Sequence, residues 1–446
     1  MKWHHYISDL FLTRRFYAVL FVCICLIFVR FFIHWLGVVP FLFAGTMGVL
    51  WLVDYLFLFV KRQGVFGART HADRFSNGDE NLVRLDLESF YDFPVKLEIV
   101  DEIPHQFQRR DVLFKTSLAA HARGYLEYRL RPVKRGVYSF GNINIYASGP
   151  IGFVMRRFRH AAAKDVPVYP SYLQMRKYQL MAVHNRLDEA GVKKMRRIGH
   201  SMEFEQIKEY VRGDDFRTVN WKATARKGTL MVNHFTDEKS QQIYCIIDKG
   251  RVMKMPFDGL SLLDYAVNAS LVLSNVALLK QDRAGLITFS KNPGSTVMAD
   301  KKLTQMQSIL EVLYSQKTGY PESDFGHLYA HMRTRITQRS LVVLFTNFES
   351  MSGLERQLPY LRKMAQHHLL LVVFFENTEL KQLTEKDASD VESIYIKTIA
   401  EKFVFEKKLI VKELQKFGIL SILTTPANVT VNALNKYLEL KARQAI

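Results

Sequence analysis

The chain has 446 residues, with 62 Lys and Arg against 43 Asp and Glu, for a formal net charge of +19. At about 100–200 residues per domain, that length excludes one compact domain, and 48% hydrophobic against 24% charged residues excludes a disordered chain. Three cysteines exclude a disulfide framework and suit a reducing compartment. The basic excess favours an anionic partner without choosing among lipid headgroups, nucleic acid and an acidic protein face.

The first predicted element is a transmembrane hairpin over residues 1–66. Phe16 to Trp35 and Gly37 to Val60 are two apolar runs, each near the roughly 20 residues that cross a hydrocarbon core. Leu36 to Pro40 leaves room only for a tight turn. Lys2, Arg14 and Arg15 precede the first run, and Lys61, Arg62 and Arg69 follow the second. Basic flanks stay inside, so both termini are expected to be cytoplasmic, with the hairpin in the bacterial inner membrane and in contact with its lipid. Arg30 and Asp54 interrupt the runs near their outer and inner ends, where each is expected to reach an interface.

A small β-sandwich is predicted over 67–175. Leu82–Leu87, Val95–Val100, Gly124–Leu130 and Ile143–Tyr146 alternate apolar and polar residues, with turn residues at 76–79, 135–136 and 148–150. Such a module binds or spaces, and no catalytic constellation is legible in it. From 241 to 446, strands and helices alternate. Strands are predicted at 243–247, 284–290, 296–298, 341–345, 368–375 and 419–424, and helices at 261–280, 303–316, 354–366, 391–417 and 431–443. That alternation implies a mostly parallel α/β sheet, Rossmann-like in its layering. Sites in such sheets lie at the carboxyl ends of the strands, here near Asp248, Asn347 and Asn377. The chain contains neither GxxxxGK nor GxGxxG, which excludes nucleotide binding through those loops.

The most distinctive stretch lies in the remaining segment, 176–240. Residues 199–233 intermix Glu203, Glu205, Glu209, Asp214 and Asp215 with Lys208, Arg212, Arg217, Lys222 and Arg226, around Tyr210 and Trp221. Carboxylates beside so many cations stay ionised, which suits ion pairing or docking better than proton transfer. Gly213-Asp214-Asp215 lacks the apolar flanks of a polymerase turn. His200 and Glu203 offer two metal ligands, too few for a site. Lys193, Lys194, Arg196 and Arg197 lack interleaved aromatics, so they read as a solvated face near anionic lipid, and no nucleic-acid partner is expected.

This stretch resembles the bacterial domain-of-unknown-function family 58. The resemblance rests on Glu203-Phe204, Lys208-Glu209-Tyr210, Gly213-Asp214, Arg217 and Trp221-Lys222-Ala223-Thr224-Ala225-Arg226. Lys134-Arg135-Gly136-Val137-Tyr138 and Tyr169-Pro170 in the β module fit it as well. Lys208 stands where the family usually has Arg, and Asn220 where Asp or His is common. The resemblance implies a von Willebrand factor A-like fold for 241–446 and a MoxR-type AAA+ ATPase as partner. It also points to a divalent-cation site, of which this chain retains Asp248, Ser323 and Asn347. Gly250 and Val252 supply no side-chain oxygen, Asn347 is neutral, and Lys249 and Arg251 add positive charge. The site therefore reads as degenerate, with no constitutive Mg²⁺ and no other cofactor. The expected function is that of a non-enzymatic, membrane-anchored adaptor acting in envelope or stress-related assembly. The alternative is a metal-dependent hydrolase using the 199–233 carboxylates.

Overall fold

The computed structural model describes residues 8–33, 35, 37–109, 111–183, 203–211, 214, 216–236, 240–385 and 390–445, with the backbone alone at 182–183, 203–206 and 234–236. The chain divides into two units, Met1–Tyr169 and Pro170–Ile446.

In the first unit the alternating runs become strands whose every second side chain enters one core. Asn81–Ser89 buries Val83, Leu85 and Leu87, Val95–Asp101 buries Val95, Leu97 and Ile99, and Ile143–Ser148 buries Ile143, Ile145 and Ala147. The strands of this unit form three antiparallel or mixed sheets. A five-stranded sheet has the order Leu10–Leu12, Val154–His160, Ile143–Ser148, Val95–Asp101, Leu113–Leu118. Two three-stranded sheets hold Val65–His71, Asn81–Ser89 and Arg123–Leu130, and Phe75–Ser76, Lys164–Tyr169 and Gly136–Phe140. The edge strand Leu10–Leu12 pairs antiparallel with Val154–Arg156. At three residues it is too short to carry an alternation signal, and its partner lies far along the chain.

The two apolar runs are helices Arg14–Phe32 and Val39–Phe59, and both are long and apolar enough to cross a membrane. The Thr13 hydroxyl accepts from the Phe16 N–H at 3.3 Å and starts the first helix. Pro40 sits in the first turn of the second, where its missing N–H costs nothing. Most of their apolar side chains are exposed, as lipid-facing residues would be. A third helix, Leu262–Leu279, is also long and apolar enough to cross a membrane, but most of its side chains are buried within the second unit. Arg30 stacks on the Phe41 ring at 4.4 Å.

Asp54 does not reach an interface as its position predicted. It is fully buried, and its carboxylate accepts from the backbone N–H groups of Ile151 at 3.2 Å, Phe153 at 2.8 Å and Val154 at 2.9 Å. Gly149 permits this approach, because a Cβ there would run into the carboxylate. Nearby, the Tyr91 hydroxyl donates to the Leu58 carbonyl at 2.8 Å, and Arg156 donates to the carbonyls of Leu58, Lys61 and Arg62. The hairpin and the β module thus share one core. Arg69, one of the basic residues that follow the second run, has a structural role as well. Its guanidinium is buried and pairs with buried Asp101, which also accepts from Tyr128.

In the second unit the six-stranded sheet runs Pro293–Asp300, Arg283–Phe289, Gln242–Asp248, Leu341–Phe345, Leu369–Phe375, Leu420–Thr424. Its pairings are parallel except that of the edge strand Pro293–Asp300, which is antiparallel to Arg283–Phe289. Continuous Val, Ile and Leu runs suit strands covered on both faces. Leu262–Leu279 opens on a capping box of Ser261 and Asp264. The predicted helices appear at Gln305–Tyr314, Met351–His367, Val391–Lys416 and Val429–Ala442. Phe325–Arg335, Tyr172–Val183 and Thr378–Glu385 are further helices that periodicity did not announce. The first of these starts on Asp324, whose carboxylate accepts from the Gly326 and His327 N–H groups. Its length spans barely three turns, too few for a periodic signal to stand out.

Replacing Asp54 with Ala leaves buried N–H groups without an acceptor, at about 1–3 kcal/mol for each such group. Equilibrium unfolding of the full chain in mild detergent should show that loss for Asp54→Ala and a smaller one for Asp54→Asn. Unchanged stability in both variants would show that the carboxylate does not hold the loop.

Candidate functional site: the strand-end crevice and the 203–236 hairpin

The sequence placed two sets of residues under suspicion, and the structure puts them in different settings. At the carboxyl end of the central strand, Asp248 is fully buried. One carboxylate oxygen accepts from the Ser323 hydroxyl and from the Gly250 N–H at 2.8 Å, and the other accepts from the Thr346 hydroxyl at 2.7 Å. Burial pushes the Asp248 carboxyl above the usual carboxylate range, and its three hydrogen bonds oppose that shift. Gly250, which reads in sequence as a lost ligand, has a structural role. A Cβ at that position would run into the Ser323 hydroxyl and stand 2.9 Å from Asp248 Oδ1.

Asp248 and Ser323 are therefore together, but Asn347 is engaged elsewhere. Its side-chain oxygen accepts from Lys407 Nζ at 2.8 Å, and its amide donates to the Val252 carbonyl at 3.4 Å. Lys407 also donates to the Phe375 carbonyl at 2.6 Å and is buried. Burial pulls the Lys407 ammonium down to about 8, partly offset by the charges of Glu349 and Glu376. Sequence reasoning missed both Thr346 and Lys407. The signal for Lys407 was present: it lies three residues before Ile410 and seven before Leu414, on the buried stripe of its helix. Asn377 is the amino-terminal cap of Thr378–Glu385, accepting from the Glu379 and Leu380 N–H groups at 3.1 Å.

This donor set does not fit a resident divalent cation. A hard cation takes about six oxygens. Here a single carboxylate already accepts three internal hydrogen bonds, and the neighbouring amide oxygen is held by an ammonium group. What the strand ends do form is an open crevice of about 1040 Å³. Arg251, Lys254 and Arg356 line its exposed rim beside Glu322 and Glu349. Arg356 reaches Glu322 at 3.2 Å.

The second set lies on an antiparallel pair, Glu203–Glu209 with Met231–Thr236, with a bulge between Phe204 and Gln206. Between the strands sits the short helix Trp221–Lys227, capped by Asn220, whose side chain accepts from the Ala223 N–H at 3.0 Å. Asn220 Nδ2 also donates to Asn233 Oδ1 at 2.8 Å. Asp214 pairs with Lys208 at 3.1 Å and accepts from the Val211 N–H at 3.0 Å. The Tyr210 and Phe216 rings lie 5.1 Å apart. Glu209, Arg217 and Arg226 are exposed, and Trp221 is 71% exposed. Among the described residues, Arg226 and Trp221 are thus exposed and not embedded in a buried ion-pair scaffold. Only the backbone is described for Glu203 and Phe204, and Gly213, Asp215, Arg212, His200 and the basic cluster 193–197 lie outside the described residues.

The family model "Protein of unknown function DUF58" matches residues 206–402, from the hairpin through the crevice. The chain carries a domain of the DUF58 family. Over 126 residues the chain is similar to the uncharacterized protein YeaD of Bacillus subtilis (strain 168), at 28% identity over 28% of this chain. The match covers 31% of YeaD, so the chain spans about a third of the curated relative it resembles. Among solved structures, the conserved hypothetical protein BatB from Bacteroides thetaiotaomicron aligns over 46% of this chain and 100% of its own, at 13% identity and a TM-score of 0.32. Proximal thread matrix protein 1 of the mussel byssus aligns over 45% of this chain and 46% of its own, at 7% identity and a TM-score of 0.26.

Two outcomes are expected for this DUF58 domain. Trp221→Ala and Arg226→Ala should leave the unfolding midpoint within about 0.5 kcal/mol of the parent, as exposed positions do. A loss of several kcal/mol in either would restore the scaffold reading. A Mg²⁺ site with a Kd of ~10 µM would add roughly 2.7 kcal/mol at a millimolar concentration of the ion. Thermal unfolding with and without Mg²⁺ should show no such shift, and one abolished by Asp248→Ala would overturn the reading of the donor set.

Proposed function

We propose that the chain is a non-enzymatic, membrane-anchored adaptor whose von Willebrand factor A-like domain docks a partner protein at the strand-end crevice. In this reading the hairpin sits in the bacterial inner membrane with both termini in the cytoplasm, where basic flanks are retained. The observation that supports docking most directly is the state of the polar groups at the strand ends. Asp248 is consumed by Ser323, Thr346 and Gly250, and Asn347 by Lys407, so their hydrogen bonds set the loops in place. The exposed rim of Arg251, Lys254, Arg356, Glu322 and Glu349 then presents charge of both signs to a partner. Mixed rim charge steers encounter and rejects wrong partners more than it adds affinity. The family resemblance makes a MoxR-type AAA+ ATPase the first partner to test, in envelope or stress-related assembly.

The test is co-purification of such an ATPase with the full-length chain from detergent-solubilised membranes. Capture by the parent is expected, with loss of about tenfold or more in Arg251→Glu/Arg356→Glu at an unchanged unfolding midpoint. Equal capture by parent and double variant, or none by either, would overturn the crevice as the ATPase-docking surface.

A further inference from the structure

A second cavity, of about 340 Å³, shares Met255, Asn347 and Glu349 with the crevice but has a different character. Leu380, Phe403, Val404 and Leu423 give it apolar walls. Lys407 lines it from the Val391–Lys416 helix. An ammonium group carries three N–H donors. Two are directed to Asn347 Oδ1 at 2.8 Å and the Phe375 carbonyl at 2.6 Å, and both of those acceptors are uncharged. Among the described residues no carboxylate contacts this desolvated cation, and the cavity is large enough for a small organic molecule.

We propose that this cavity binds a small apolar monocarboxylate, its carboxylate accepting the remaining Lys407 N–H and its stem packing on Phe403, Val404 and Leu423. A carboxylate supplies the charge partner that the buried ammonium lacks, in a charge-assisted hydrogen bond stronger than a neutral one. The apolar walls select against a ligand polar throughout. The other charged groups lining the cavity are Glu349 at the end of Leu341–Phe345, Glu376 at the end of Leu369–Phe375, Lys381 and Lys408. Counting Lys407, three lysines face two glutamates, so the cavity retains a net positive charge. This assignment concerns a free small molecule and stands independently of protein docking at the crevice.

The test is isothermal titration of the full-length chain in phosphatidylcholine nanodiscs, with empty discs subtracted. The probes are 4-phenylbutyrate and its neutral analogue 4-phenylbutyramide, each at about pH 7. The acid should bind about tenfold or more tightly than the amide. Lys407→Met should bind acid and amide alike. Equal binding of acid and amide by the parent at pH 7 would overturn the proposal, as would acid preference retained in Lys407→Met or no binding of the acid at millimolar concentration. Should Lys407→Met fail to fold, the parent alone decides: equal binding of acid and amide sinks the assignment.

Discussion

Burial of the Asp248 carboxylate is the constraint on which the strand-end face of the DUF58 domain depends. A carboxylate taken out of water must be fully hydrogen-bonded or neutralised. Asp248 meets that demand by gathering donors from three places: the turn at Gly250, the loop at Ser323, and Thr346 just past the Leu341–Phe345 strand. Three chain segments far apart in sequence are thereby held to one point. The missing side chain at Gly250 belongs to the same arrangement, because the space it leaves is filled by the Ser323 hydroxyl.

One residue further on, the same logic applies with the opposite charge. Lys407 is buried on its helix and has as acceptors an amide oxygen and a main-chain carbonyl. An aspartate at 347 would have made a salt bridge, whereas the neutral Asn347 gives the lysine a partner without satisfying its charge. The strand ends thus carry an acid and a base, each desolvated, each held by neutral groups. A divalent cation among them would have to compete with donors already in place at Asp248 and with the ammonium at Asn347.

In the first unit an equivalent role falls to Asp54. Its helix is apolar throughout, and a charge near its end invites comparison with side chains that reach out to an interface. The three N–H groups of the Ile151–Val154 loop offer it a better environment, since hydrogen bonds to a charged acceptor are the strong ones. The hairpin is in this way continuous with the β module, and the short strand at Leu10–Leu12 reinforces the link from the other side.

Periodicity by itself determined the two apolar helices, the four alternating strands of the β module and the strand–helix order of the second unit, because those patterns repeat within a few residues. The Glu203–Arg226 motif determined the family in the same local way. Periodicity does not register elements too short to repeat, such as Leu10–Leu12, or helices of few turns, such as Phe325–Arg335 and Thr378–Glu385. Only the tertiary structure decided how the polar residues are used. Asp248 with Ser323 and Thr346, Asn347 with Lys407, Asp54 with the 151–154 loop, and Arg69 with Asp101 are pairings across tens of residues or more. Nothing in local spacing specifies which donor will meet a buried charge. That choice is made when strands and helices pack, because only then does the loss of water make each unmatched charge costly enough to need a partner.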